Sequence, residues 1–255
     1  MTAGAQALVP ITVTGWRIWD LYAARELHPA TLTRGVLLHL DRTGVVMPEE
    51  PRQVTASEVD VILDLFGDLP LTFHVSTPAD ENRVPEFLNK LMARYPGLKE
   101  RTIQLIPQLR PNTCEALIPL KKKHGIKIVL PHYSLYGADA WAPSVKLADQ
   151  VLYDSAANRG PQLNLDERAM VQLRVVAEAT KAPLSLAGRL TGRVVSDMSL
   201  RLHEVRAELA RPFALAAELT LRSDGSVDLP KVEEFHDACA KTLGVDVPAP
   251  EAAVG

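Results

Sequence analysis

Asp154 is the residue whose type and setting point most directly to chemistry. It closes the apolar run Val151–Tyr153 inside the stretch Ala148–Asn158, ADQVLYDSAAN, and the small residues Ser155, Ala156 and Ala157 follow it. A carboxylate placed where a buried strand opens into a loop is partly desolvated, which lifts its pKa toward values useful for acid/base work. An aspartate in such a place also caps a turn through its own backbone, and the sequence leaves both readings open. A second group comprises His39, Asp41, His74 and His132. Neutral imidazoles with a carboxylate ligate divalent metals. Their spacing forms no local motif of the HExxH kind, so His39, Asp41 and His74 stand as a metal set only in the alternative where the fold gathers them.

The elements that must position these residues are short apolar runs alternating with longer amphipathic segments. Strands are expected at Ile11–Thr14, Val36–Leu40, Leu71–Val75, Thr102–Ile106, Lys127–Leu130, Val151–Tyr153, Leu184–Ala187 and Phe213–Ala217. Helix starts are signalled by Thr55 with Glu58, Asn112 with Glu115, Asn164 with Glu167, and Asp228 with Pro230. About eight βα units in a chain of 255 residues predict the α/β class and a single (β/α)8 TIM barrel over residues 1–244, with a poorly ordered tail over 245–255. No GxGxxG follows the first strand, which argues against an open dinucleotide-binding sheet. Strand residues alternate between faces, and the faces covered by helices must be apolar. Thr12 and Thr14, His39 and Asp41, Thr72, His74 and Ser76, and Gln104 are therefore expected to point into the barrel. The C-terminal mouth is where sites of such barrels lie.

Composition narrows the partners. The formal net charge is −3. The one basic run, Lys121–Lys123, suits a helix C-terminus, so nucleic acid is not expected as a partner. No apolar stretch is long enough to cross a membrane, and MTAGAQALVP lacks the pattern of a signal peptide. Cys114 and Cys239 are far apart and form neither a disulfide framework nor a zinc pattern, which predicts a cytoplasmic protein. No cofactor is expected. The oligomeric expectation is a monomer or homodimer. Trp16 and Trp19 are expected to pack against the barrel rather than form a stacking platform.

Several collinear segments resemble the phosphoribosylanthranilate isomerase family. ADQVLYDS resembles its sixth strand, PRQVTASEV (Pro51–Val59) the segment after the second strand, and IQL (Ile103–Leu105) the fourth strand. PLSLAGRLTGRVV (Pro183–Val195) resembles the seventh strand and its loop, and GSVDLPKVEEF (Gly225–Phe235) the entry to the last helix. The resemblance implies a barrel that performs an Amadori rearrangement, moving a proton from a sugar C2 to its ring oxygen, which needs one general acid and one general base. Asp154 matches the family's acid and Arg52 the arginine that meets the substrate carboxylate. Thr14 stands where the family has its cysteine base, and a neutral hydroxyl is a poor base without an activating partner.

The family's phosphate loops are also altered. Gly188 is retained, Arg189 replaces the second glycine, and Ala216, Ala217 and Glu218 stand where a phosphate-binding SSG is expected. A carboxylate at Glu218 repels phosphate, whereas Arg189 is a candidate anion binder. The resulting expectation is a divergent isomerase-like or lyase-like enzyme, not an efficient phosphoribosylanthranilate isomerase, acting on a small anionic substrate. Its expected catalytic residues are Asp154, His74 and His39. Its expected substrate-binding residues are Arg52, Arg189, Gly188, Thr14, Gln104 and His132. The alternatives are a metal-dependent barrel enzyme and a non-catalytic paralogue used for binding.

Overall fold

The computed structural model describes residues 11–28, 30–77, 81–106, 109–133, 148–154 and 163–245. The expected tail beyond Val245, the N-terminal decapeptide and most of the segment HYSLY (Ser134 onward) lie outside these residues. Eight strands close into one parallel barrel: β1 (Ile11–Thr14), β2 (Leu32–His39), β3 (Leu71–Ser76), β4 (Thr102–Leu105), β5 (Lys127–Tyr133), β6 (Gln150–Asp154), β7 (Leu184–Ala187) and β8 (Phe213–Ala217). Each strand pairs with the next, and β1 pairs with β8, Ile11 opposite Leu215. The helices are α1 (Ile18–Ala23), α2 (Ala56–Leu65), α3 (Val84–Arg94), α4 (Pro111–Ala116), α5 (Ile118–His124), α6 (Glu167–Ala179), α7 (Gly192–Asp197), α8 (Ser199–Leu209) and α9 (Leu229–Leu243). Among the described residues no helix is long and apolar enough to cross a membrane.

Local chemistry explains most helix starts. Thr55 and Glu58 form a reciprocal capping box on α2, and Asp228 accepts from the Lys231 N–H to start α9. Two expected caps are corrected. Arg110, not Asn112, precedes α4, because Pro111 occupies the first helical position, where its missing N–H costs nothing. Asp166, not Asn164, caps α6 by accepting from the Ala169 N–H. Asn164 instead donates to the Asp166 carboxylate at 2.9 Å.

The outer faces of the strands are apolar and packed under the helices: Val36, Phe73, Ile103, Val151, Leu186 and Leu215 all belong to one buried core. Trp16 is fully buried and donates to the Val13 carbonyl at 2.6 Å, whereas Trp19 is 74% exposed and does not pack as expected. The inner faces are mostly polar. Thr12, Thr33, Thr72, Thr102 and Ser185 line a cavity in the lower half of the barrel. A small apolar layer of Val129, Leu152 and Ala216 sits within the barrel.

On β2 the inner position between β1 and β3 is Gly35. A Cβ built there would come within 2.7 Å of both His74 Nε2 and Thr14 Oγ1. The missing side chain lets residues of β1 and β3 meet across β2, with Thr14 Oγ1 and His74 Nε2 3.4 Å apart. Filling this gap overpacks a buried site, which typically costs about 1–3 kcal/mol. Gly35→Ala is expected to lower stability by that amount in urea denaturation. An unchanged unfolding midpoint would show that Thr14 and His74 yield freely.

Candidate active site

The upper ends of the strands surround a cleft of about 760 Å3, counted with the solvent at its entrance. Thr14 from β1, His74 from β3 and Gln104 from β4 line it, with Asp154 at the end of β6. Gly188 and Arg189 follow β7, and Glu218 follows β8. Period-2 alternation delivers the first four. Asp154 shares an inner face with Leu152, while Val151 and Tyr153 go to the outer core. Gly188 and Arg189 both have positive φ, 136° and 38°. Glycine adopts such backbone freely, but an arginine there is uncommon. The turn leads into α7, whose first residues are capped by Thr191 accepting from the Val194 N–H.

His74 is buried beneath this cleft, and loss of hydration pulls its pKa down to about 3. Its ring is therefore neutral at physiological pH, and its conjugate acid is too strong for the ring to be an effective base. A neutral imidazole held by Thr14 is better suited to hydrogen bonding with a substrate oxygen. Of the expected catalytic residues, His74 is therefore placed at the cleft as a neutral hydrogen-bonding group.

The charges at the mouth form a connected set. Arg52, in the loop before α2, donates through Nη1 to Glu218 Oε1 and through Nε to Glu50 Oε2 at 2.5 Å. One guanidinium thus serves two carboxylates. Burial lifts the Glu218 carboxyl above its ordinary value; Arg52 and Arg222 oppose that lift, while Glu50 and Asp154 reinforce it. Arg222 is committed to the Gly15 and Gly225 carbonyls. Arg189 is exposed at the rim.

Other expected residues lie elsewhere. His132 is fully buried on the outer side of β5, beside the Tyr153 ring with centroids 5.8 Å apart. The strand continues to Tyr133, so His132 is a strand residue of outward parity rather than part of a loop above the barrel. Desolvation lowers its pKa to about 4. It does not join the cleft, which corrects its expected role in substrate binding. His39 is inward but off the cleft: Nδ1 lies 2.9 Å from Ser76 Oγ and Nε2 3.3 Å from Glu49 Oε1. Asp41 points its Oδ1 back into its own turn, accepting from the Thr43 and Val45 N–H groups at 2.8 and 3.0 Å. Among the described residues His39, Asp41 and His74 do not bring three donors together. The alternative metal set is therefore corrected, because Asp41 is consumed by a local turn.

Glu218 is the cleft residue that sequence reasoning undervalued, treating it only as an obstacle to phosphate. The signal was present, since it is an acid directly after a buried strand, as Asp154 is an acid ending one. Its link to Arg52 was not legible.

No protein-family model and no curated protein sequence matches the chain. Solved structures with the same fold do. The N-(5'-phosphoribosyl)anthranilate isomerase from Pyrococcus furiosus is 18% identical with a TM-score of 0.59, covering 91% of this chain and 98% of its own. The 3-hexulose-6-phosphate synthase from Salmonella typhimurium is 10% identical with a TM-score of 0.60, covering 91% and 99%. KGPDC from Streptococcus mutans is 14% identical with a TM-score of 0.57, covering 91% and 98%. At these identities the likeness establishes the barrel fold that the chain shares with these enzymes.

Proposed function

We propose that the chain is a general acid/base enzyme that moves a proton next to a carbonyl or imine of a small anionic substrate. The carrying observation is that Asp154 and Glu218, acids at the ends of two nearby strands, line one cleft above the neutral imidazole of His74. One carboxylate removes a proton from the carbon beside the C=O or C=N. The other delivers a proton to the carbonyl oxygen or imine nitrogen, giving an enol or enamine; return of a proton to the neighbouring carbon completes an isomerisation, whereas departure of a β-substituent gives a lyase step. Proton transfer of this kind needs two groups of different protonation state. Glu218, with its raised pKa, suits the acid, and Asp154 the base. This assignment departs from the family pattern, in which the residue matching Asp154 is the acid.

Arg52 couples binding to chemistry in this reading. A substrate carboxylate or phosphate competes with Glu218 for the guanidinium. Once displaced, Glu218 loses the cation that opposes its desolvation, and its proton affinity rises. The anion thereby arms the acid. Arg189 at the rim adds a second cation, and Thr14, Gln104 and His74 supply hydrogen bonds to hydroxyl or carbonyl oxygens. The cleft is open, and Asp154, Glu218, Gln104 and Arg189 face it from among apolar lining residues, which supports this reading over that of a binding paralogue with a mouth closed by apolar side chains.

Solvent deuterium incorporation, followed by NMR across aminosugars, keto-sugars and their phosphates, reads the first step directly. Exchange at the carbon beside the carbonyl or imine is expected with at least one substrate. Asp154→Asn and Glu218→Gln should each slow it by about 10²–10⁴-fold. Exchange unaffected by either substitution would refute the assignment. Turnover of phosphoribosylanthranilate is expected to fall far below that of an efficient isomerase, since Thr14 replaces the base and Glu218 faces the phosphate position. Complementation of a strain lacking that isomerase would overturn this expectation.

Glu218 also predicts a pH signature. Its folded-state pKa lies above its ordinary 4.5, so the folded protein holds this proton more tightly than the unfolded chain. The stabilisation is complete below that ordinary value and is lost as pH rises through the folded-state pKa. Above its folded-state pKa the ionised group is a net cost. Glu218→Gln should therefore melt above the wild type there, and the gain should vanish as pH falls to about 4. A variant less stable at every pH would mean that the Arg52 pair outweighs desolvation.

A further inference from the structure

A second group of side chains capable of chemistry lies on the outer wall, away from the mouth. His28 sits in the connection between α1 and β2, and His236 and Asp237 are consecutive residues of α9. Each offers one ligand atom, and these atoms lie within 4.8 Å of one another. His236 is fully buried, and its Nε2 lies 2.8 Å from Thr31 Oγ1. Its Nδ1, also buried, has no hydrogen-bond partner and lies 3.6 Å from Asp237 Oδ1. The imidazole of His28 stacks on that of His236, with centroids 3.4 Å apart and planes 7° from parallel.

We propose that His28, His236 and Asp237 bind a divalent transition-metal ion, with zinc the type. The donor set is two imidazole nitrogens and one carboxylate oxygen, which suits zinc, nickel or copper and not magnesium or calcium. The orphaned Nδ1 is the feature that packing alone does not explain. A buried polar nitrogen without a partner is costly, and a metal ion satisfies it. The Thr31 contact to Nε2 leaves Nδ1 as the nitrogen beside the Asp237 carboxylate, 3.6 Å away, as hydrogen bonds to the remote nitrogen do at metal sites.

The surroundings favour ligation. Negative charge from Asp237 and Glu233 acts on His28, partly offset by Arg34. The guanidinium of Arg34 is itself committed to the Leu32, Ala24 and Leu27 carbonyls. Those bonds also hold the loop, as do the Thr31 and Leu32 N–H groups donating to the His28 carbonyl. His28 has a positive φ of 45°, uncommon for a residue with a side chain. Tetrahedral ligands at about 2.0–2.1 Å from zinc stand about 3.3 Å apart, so the donors need close by no more than about 1.5 Å. Parallel rings cannot both aim an in-plane lone pair at one ion. The half-buried His28 ring therefore turns on its side-chain bonds, while the buried His236 ring stays. The bound ion would staple α9 to the loop that enters β2.

Titration of the chelator-treated full chain with zinc chloride, by calorimetry and equilibrium dialysis, tests this. One equivalent is expected to bind and to raise the melting temperature. His28→Ala and Asp237→Asn change half-buried or exposed residues and should leave the fold intact. Each should weaken that equivalent by at least about tenfold and abolish the thermal shift. Magnesium chloride should produce neither effect. Absence of zinc uptake by the wild type, or uptake and thermal shift unchanged in both variants, overturns the proposal and leaves the stacked rings as packing alone.

Discussion

Closure of the sheet on itself is the constraint on which the rest of this structure depends. Once β1 pairs with β8, every strand has a face that cannot reach the helices. The sheet has no free edge, so its hydrogen-bonding groups are satisfied without further cover. What remains is to fill the inside. This chain lines a cavity in the lower half with hydroxyl and amide side chains and concentrates its apolar residues on the outer face. Gly35 shows how tight the arrangement is, since a single methyl group there would collide with residues of both neighbouring strands. The contact between Thr14 and His74 exists because β2 contributes no side chain at that level.

The upper rim answers to a different constraint. Strand ends place carboxylates where water is scarce, and such groups are tolerated only near opposite charge. Arg52 provides that charge for Glu218 and Glu50 together. A site built this way is electrostatically poised: whatever competes for the guanidinium changes the protonation of the acid it releases. A neutral histidine on the floor adds no charge to that balance, because burial has already removed its proton. The loops after β7 and β8 are held together as well, through the Thr220 hydroxyl donating to the Leu190 carbonyl. Glu218, Arg52 and the rim loop therefore belong to one connected structure.

Burial acts on the histidines according to place. His74 below the cleft, His132 under the helices and His236 on the outer wall all have depressed pKa values for the same reason. Their consequences differ with what surrounds each neutral ring: a hydroxyl facing a cleft, a tyrosine ring, or a second imidazole with a carboxylate. Residue type alone carries none of these distinctions.

The sequence by itself determined the barrel and much of its inner lining. Period-2 alternation is a local property, and helix-covered faces must be apolar, so Thr14, His74 and Gln104 could be assigned inward from the chain alone. β1, β7 and β8 begin and end where the apolar runs do. Tertiary structure decided what those rules do not reach. β5 extends to Tyr133, and those added residues carry His132 outward into the core. Asp41 spends its carboxylate on its own turn, a choice set by loop geometry. Arg52 meets Glu218 across 166 residues of chain, and His28 meets His236 from the opposite end of the sequence. Such pairings depend on how far the sheet curves before it closes, and no window of sequence contains that curvature.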